Sequence, residues 1–199
     1  LPSSSAASDV YKRQTQLHPA LALVDSGRLE AARAVLSRRA PDKEASDDVL
    51  AALLDAKAAQ ARERGVALTW SAELTAPAPL RPLDLLTVLG NLVDNALDAA
   101  AAADLSAADR WVDVEVVSDA AGLLVQVADG GPGPSDADRG RLFDRGWSTK
   151  PVGAAGRGMG LWLTRRIAEE AGGVVDVATD SGTVFTVEVP REPTPQEET

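Results

Sequence analysis

Cysteine is absent from the 199 residues of the chain, and histidine occurs once, as His18. Without cysteine the chain can form neither disulfides nor thiolate metal sites, which is typical of a reducing cytoplasm. Long apolar runs are also missing, since none approaches the roughly 20 residues that cross a bilayer. The N-terminus lacks the charged and then apolar pattern of a signal peptide. We therefore expect a cytoplasmic protein or fragment without a membrane segment.

Basic residues are scarce as well. The chain has 20 Lys and Arg against 30 Asp and Glu, which gives a net charge of -10 at pH 7. A general nucleic-acid binder needs a basic face, so nucleic acid is not expected as a partner. The composition, 45% hydrophobic and 25% charged, is that of a globular domain with a sizeable core.

Alternation and helical spacing predict a mixed architecture. Alternating apolar residues predict strands at 66–74, 111–118, 123–129, 174–178 and 183–189. Apolar residues at helical spacing predict helices over about 49–64, 84–103 and 161–171. Ser46 or Asp47 is the expected N-cap of the first helix, after a polar linker over 40–48, and Asp84 that of the second. The layout predicts an α+β fold, a two-layer α/β sandwich with helices on one face of a mainly antiparallel or mixed sheet.

Four regions follow along the chain. Residues 4–14 resemble a translated sequencing adapter, so we interpret 1–14 as a non-native segment. Residues 15–64 have helical spacing and form a short helical segment before the main domain at 65–190. The tail at 191–199 is rich in Pro and Glu and is expected to be disordered.

The stretch "GNLVDNALDAA" places polar residues on one side of a predicted helix. Asn91, Asn95 and Asp98 are four and then three residues apart, so they share a face. Asparagine is unfavourable inside a helix, because its amide competes for backbone hydrogen bonds. The stripe is either a solvated polar face or a place where a polar ligand or metal binds.

The stretch "VADGGPGPS" ends a predicted strand at Asp129, with Gly131 and Gly133 following. Glycine allows positive φ and a close approach of the backbone to a ligand. A carboxylate at a strand end can accept a hydrogen bond from a ligand amine. The alternative is an ordinary Gly-Pro turn.

The stretch "GRGMGLWL" has three glycines, Gly156, Gly158 and Gly160, directly before a predicted helix. The free N–H groups at a helix N-terminus favour the binding of phosphate. No Lys-Ser or Lys-Thr pair follows, so it is not a P-loop, and no βαβ unit frames it as a dinucleotide fingerprint. A flexible loop is the alternative.

The order of these motifs, with "LFDRGWSTK" between the last two, resembles the ATP-binding domain of sensor histidine kinases. That domain belongs to the superfamily of type II topoisomerase, heat-shock chaperone and mismatch-repair ATPases. The resemblance covers about 65–190, and "RGWSTK" followed by "GRGMGLWL" is most similar to the citrate- and dicarboxylate-sensing subfamily. It implies a Bergerat-type ATP-binding fold with ATP and Mg²⁺ as cofactors.

The resemblance also implies site roles. On the phosphate side, Asn95 matches the Mg²⁺ ligand and Asn91 lies near the phosphates. The lid glycines correspond to Gly158 and Gly160, and Lys150 and Arg157 are expected phosphate contacts. On the base side, the matching residues are Asp129 for the adenine amino group, Gly131 and Gly133 for the shape of the pocket, and Thr183 beside the adenine. Gly130 departs from the family, which often has Asn there.

Kinase chemistry is favoured over hydrolysis. The hydrolysing relatives carry a glutamate one turn before the metal asparagine, as general base toward water. Asn91 occupies that position here, and an amide cannot take a proton at neutral pH. The resemblance therefore implies transfer of the γ-phosphate to a histidine and then to an aspartate of a response regulator.

The acceptor histidine is expected to be missing. Residues 15–64 resemble a truncated dimerisation and phosphoacceptor segment, and Leu17-His18 aligns with the end of the acceptor motif. The acceptor position is then 11, where the chain has Tyr11 with Lys12 after it. His18 becomes a helix-face residue, and its phosphorylation is the alternative. A homodimer, anchored in the membrane, is expected for the parent kinase.

Two other functions remain open. One is an ATP-dependent regulatory switch or an anti-sigma-type serine kinase, which the "LFDRGWSTK" motif and Asn91 oppose. The other is a nucleotide-binding scaffold without kinase activity, which a failure to bind Mg·ATP would favour.

Overall fold

The computed structural model describes residues 43–102, 104–148, 158–179 and 182–191. The predictions on the segment 1–14, on the helical spacing before residue 43 and on His18 lie outside these ranges. So do those on Lys150, on 156–157 and on the tail from 192 onwards.

The described chain contains both helices and strands, as expected. In order they are α1 (Lys43–Glu63), β1 (Ala67–Leu74), α2 (Pro82–Ala100), β2 (Trp111–Ser118), β3 (Gly122–Asp129), α3 (Asp136–Arg139), α4 (Gly160–Glu170), β4 (Val174–Ala178) and β5 (Thr183–Pro190). All the predicted strands are confirmed, with bounds within a residue of those expected. The short helix α3 and a 3₁₀ turn at Ala107–Asp109 were not predicted, because such brief elements carry no apolar periodicity.

Two helix starts differ from the prediction. Helix α1 begins at Lys43, so the linker expected over 40–48 is wrong for 43–48, as are caps at Ser46 or Asp47. Lys, Glu and Ala are good helix formers, and polarity does not prevent a helix. Helix α2 begins at Pro82, with Asp84 in its first turn rather than at the N-cap. There Asp84 accepts a hydrogen bond from Arg81 Nε at 2.5 Å and complements the helix dipole.

The sheet is mixed, as expected. Its five strands have the order β1-β2-β3-β5-β4. Strands β1 and β2 are parallel, and the other neighbouring pairs are antiparallel. The α2 and α4 helices pack on the sheet and on each other, and α1 packs on β1 and α2. The result is the predicted two-layer sandwich.

The core lies between the helices and one face of the sheet. Alternation along β2, β3 and β5 turns every second side chain inward, and the central ones are valines such as Val114, Val125 and Val187. Helix α2 meets them with fully buried leucines, including Leu89 and Leu92. This packing fixes the C-terminal end of β3, the start of β5 and the middle of α2 around one end of the sheet.

Candidate functional site

Asp129 is the last residue of β3 and faces inward. The same alternation that buries Val125 and Val127 buries this carboxylate, which is 1% exposed. Burial raises the pKa of Asp129 to about 6, although the N–H of Gly131, which donates to Oδ1 at 2.8 Å, acts to lower it. Asp129 is thus a buried acceptor whose charge lacks the solvation it has in water. A ligand N–H group would supply a favourable partner.

Thr183 lies directly beside Asp129 on the neighbouring strand. The register of β3 with β5 pairs these two residues, and Thr183 is 2% exposed. Its hydroxyl has no hydrogen-bond partner among the described residues. A buried polar group without a partner costs about 1–3 kcal/mol, so a ligand that satisfies it gains binding energy there. The structure brings together two predicted base-side residues that are far apart in the sequence.

The glycines after Asp129 are needed for two different reasons. Gly133 has φ 68, the left-handed conformation expected of it, and a Cβ there would lie 2.9 Å from Thr183 Oγ1. Gly131 has no positive φ, but a Cβ would lie 2.7 Å from Asp129 Oδ1. Both glycines therefore keep the backbone close to the polar pair.

The presence of glycine at position 130, where the family often has asparagine, also has a steric explanation. A Cβ on Gly130 would collide with the carbonyl oxygen of Asp109 and lie 2.6 Å from Trp111 Nε1. The 3₁₀ turn and the Trp111 indole occupy the space of a side chain, so the asparagine common in the family does not fit here.

The residues of the predicted polar stripe on α2 contact two different parts of the protein. Asn91 is 7% exposed, and its Nδ2 donates to the carbonyl oxygen of Gly160 at 3.2 Å. Asp98 instead forms an ion pair with Arg64, which follows α1, at 2.7 Å. Asn95, one turn after Asn91, is half-buried. The interpretation of the stripe as a fully solvated face is therefore wrong for Asn91.

Asp94 turns toward α1. It pairs with Lys57 Nζ at 2.5 Å. The two carboxylates nearest the asparagines in sequence, Asp94 and Asp98, are thus both engaged in ion pairs.

The predicted lid glycines lie at the start of α4. Gly158 has φ 74, and its carbonyl accepts a hydrogen bond from Gly146 N–H at 2.8 Å. A Cβ on Gly158 would lie 2.5 Å from the carbonyl oxygen of Trp147. Gly160 begins α4, and a Cβ there would lie 3.2 Å from Asn91 Oδ1. These close approaches tie the end of the glycine-rich segment to the "RGW" turn and to α2.

Aromatic contacts anchor the "LFDRGW" segment, a role that the sequence pattern does not predict. Phe143 packs edge-on against Phe185 with ring centroids 6.4 Å apart, and the Arg165 guanidinium lies 5.8 Å from the Phe143 ring. Arg145 lies 5.3 Å from the Trp162 ring. No sequence spacing links these residues, because the contacts join the segment to β5 and α4.

The donors available for a metal are amides rather than clustered acids. Within the described ranges, no group of three or more His, Cys, Asp or Glu side chains could hold a metal ion. The Asn95 amide oxygen is a hard ligand, and Mg²⁺ is usually bound by one or two protein oxygens together with phosphate oxygens. The chemistry of Asn95 therefore fits a Mg²⁺ ion whose other ligands come mainly from a phosphate group and water. None of the helices that the structure describes is long and apolar enough to cross a membrane.

A sheet covered on one face, with a buried Asp at a strand end and glycines beside it, defines the Bergerat-type ATP-binding fold. The family of histidine kinase-, DNA gyrase B- and HSP90-like ATPases matches residues 81–193, and the chain belongs to this family.

Relatives in this family are sensor kinases. The chain is 32% identical over 149 residues to the sensor histidine kinase CitA of Klebsiella pneumoniae, a match covering 72% of this chain and 26% of CitA. It is 36% identical over 160 residues to the C4-dicarboxylate transport sensor protein DctS of Rhodobacter capsulatus, covering 78% of this chain and 24% of DctS. The chain thus spans about a quarter of the length of these relatives.

A solved structure supports the fold. The nucleotide-free catalytic domain of the histidine kinase ThkA superposes with a TM-score of 0.56 at 22% identity, covering 72% of this chain and 93% of that domain.

Proposed function

We propose that the chain is the catalytic part of a two-component sensor histidine kinase. It binds Mg·ATP and transfers the γ-phosphate to a histidine, from which the phosphate passes to an aspartate of a response regulator. The observation that carries the proposal is the buried Asp129 paired with the unsatisfied Thr183 beside Gly133. This polar pair in an apolar surrounding suits the amino edge of a purine.

On the base side, the Asp129 carboxylate accepts a hydrogen bond from the adenine amino group. The Gly131 N–H donates to the same carboxylate, and the bare Gly133 backbone lies close to the Thr183 hydroxyl. Thr183 supplies a hydroxyl next to the carboxylate. Because the site is buried, each of these hydrogen bonds contributes more than it would in water.

On the phosphate side, Asn91 and Asn95 lie near the phosphates, and Gly158 and Gly160 are the lid glycines over them. Lys150 and Arg157 are the proposed phosphate contacts. Asn95 holds Mg²⁺, which neutralises charge on the phosphates when bound. The N-terminus of α4 adds free N–H groups and a favourable dipole.

Phosphotransfer rather than hydrolysis is favoured by Asn91, which stands where the hydrolysing relatives carry a glutamate base. Its amide takes no proton, and it already donates to Gly160. The neighbouring Asp94 and Asp98 are held in ion pairs with Lys57 and Arg64. Water near the γ-phosphate therefore lacks a general base among these groups, which leaves the phosphate for a protein nucleophile.

The remaining assignments concern the parent protein. We propose a homodimeric, membrane-anchored kinase of the citrate- and dicarboxylate-sensing type, with this part on the cytoplasmic side. Position 11 corresponds to the acceptor, and His18 does not replace it. The partner is the receiver domain of a response regulator.

The test is binding of Mg·ATP and transfer of γ-labelled phosphate by the purified chain. Wild type should bind, and Asp129→Asn should not, whereas the exposed outer-face change Asp176→Asn should bind like wild type. No label should remain on the chain itself. Acid-labile label that disappears in His18→Gln would show that His18 is the acceptor after all. Failure of wild type to bind Mg·ATP would contradict the kinase function and favour a scaffold.

A further inference from the structure

A polar row crosses three adjacent strands at the end of the sheet that carries Asp129. The register pairs Asp129 with Thr183, and the register of β4 with β5 pairs Ala178 with Val184. If this antiparallel register is continued by one residue beyond Ala178, Thr179 lies opposite Thr183. Two residues further into the sheet, the same inner face carries Val127, Phe185 and Val177. The change from an apolar row to a polar one occurs on β3, β5 and the end of β4 together.

The two threonines of this row have the same unsatisfied chemistry. Thr179 Oγ1 and Thr183 Oγ1 are both buried and both lack a hydrogen-bond partner among the described residues. Buried hydroxyls are normally hydrogen-bonded, and two such groups on one row call for a common explanation. A packing role alone would be served equally well by valine, which has the same shape.

Gly133 connects both threonines to the same space. A Cβ on Gly133 would lie 2.9 Å from Thr183 Oγ1 and 3.0 Å from Thr179 Cγ2. The two side chains therefore flank one glycine that is expected to shape the ligand pocket. Thr179 was missed because it follows the last residue of β4 and belongs to none of the recognised motifs.

We propose that Thr179 is a further base-recognition residue, whose hydroxyl hydrogen-bonds to the edge of the bound purine beside that of Thr183. The proposal rests on the proposed nucleotide function and extends it. Asp129, when ionised, is only an acceptor, whereas the hydroxyls can also donate to ring nitrogens. Together the row offers both an acceptor for the amino group and donors for the ring.

The test compares Thr179→Val, which removes the hydroxyl and keeps the shape, with Thr179→Ser, which keeps the hydroxyl. Thr186→Val, on the outer face of β5, is the matched control. Titration calorimetry should show Thr179→Val binding ATP and ADP about tenfold more weakly, by the same factor for both because the contact is to the base. Thr179→Ser and Thr186→Val should stay within about twofold of wild type.

The melting temperature of the ligand-free protein separates recognition from structure. Thr179→Val should leave it unchanged or raise it, since the variant removes an unsatisfied buried hydroxyl. Equal ATP affinity of wild type and Thr179→Val would overturn the role of Thr179 and leave the kinase function standing. A weaker affinity accompanied by a lower melting temperature would assign Thr179 to structure and also overturn it. Absence of ATP binding by wild type would overturn both proposals.

Discussion

The two ends of the candidate site are built in opposite ways. At the base end, strand register fixes Asp129 beside Thr183. The Thr183 hydroxyl lacks a hydrogen-bond partner among the described residues, and a ligand can supply one. At the phosphate end, Asn91 lies on a helix, and its Nδ2 already donates to the Gly160 carbonyl at 3.2 Å. A ligand therefore gains new hydrogen bonds at the base end, whereas at the phosphate end it has to compete with an existing one. We infer that the base end carries more of the nucleotide affinity.

The largest expected effect concerns Asp129→Asn. The change replaces a buried acceptor by an amide whose NH₂ faces the amino group of the base, so it removes a charge-assisted hydrogen bond and adds a repulsive contact. ATP affinity should fall by about 100-fold or more. Calorimetric titration measures it, with Asp176→Asn as the exposed control. An affinity within tenfold of wild type would contradict the assignment of the base end.

The pH dependence of the same residue is the next test. The pKa of Asp129 is about 6 in the folded protein against 3.8 ordinarily, so the folded state holds this proton more tightly. Unfolding then releases a proton between these pH values, and Asp129 makes the ligand-free protein less stable as pH rises through this range. The contribution reaches up to about 3 kcal/mol at neutral pH.

Asp129→Asn isolates this contribution from that of other carboxylates. The variant should gain stability relative to wild type as pH rises from about 4 to 7, as measured by urea unfolding at each pH. ATP affinity of wild type should rise over the same range, because the ionised carboxylate is the better acceptor. A constant stability difference across these pH values would contradict the raised pKa.

Gly130→Ala tests the crowding beside the base end. A Cβ there meets the Asp109 carbonyl and the Trp111 indole, so the free energy of unfolding should fall by about 1–3 kcal/mol. Gly140→Ala is the matched control, since a Cβ at Gly140 has no neighbour within 4 Å. Chemical denaturation compares the two variants. Equal stability of both variants would contradict the crowding, because it would mean that the turn at Ala107–Asp109 shifts at little cost to make room for the Cβ.

The smallest effect is expected for the ion pairs behind the phosphate end. Lys57→Met and Asp94→Asn, combined in a double-mutant cycle, should show a coupling of at most about 1 kcal/mol, because Asp94 is 51% exposed. ATP affinity should change less than twofold. A large loss of affinity would mean that α1 positions Asn91 through this pair, and the contrast between the two ends would have to be revised.

Local pattern was sufficient for much of the fold. Strict alternation identified β2 as Trp111–Ser118 and placed Asp129 at the end of β3, because a half-buried strand imposes a period of two. Helix starts were less predictable. The first turn of α1, from Lys43, is polar and lies before the apolar periodicity that identifies the helix. Asp84 looks like a cap although Arg81 occupies that position.

By itself, the sequence determined the strands, the presence of the long helices, the order of the motifs and the residue types expected to approach a nucleotide. Only the tertiary structure decided that Asp129 lies beside Thr183 and that Asn91 meets Gly160. Neighbour spacing along the chain is set by backbone geometry and is visible locally. Strand register and helix contacts instead depend on how distant apolar faces pack, so the partners of a buried polar group are decided only when the core forms.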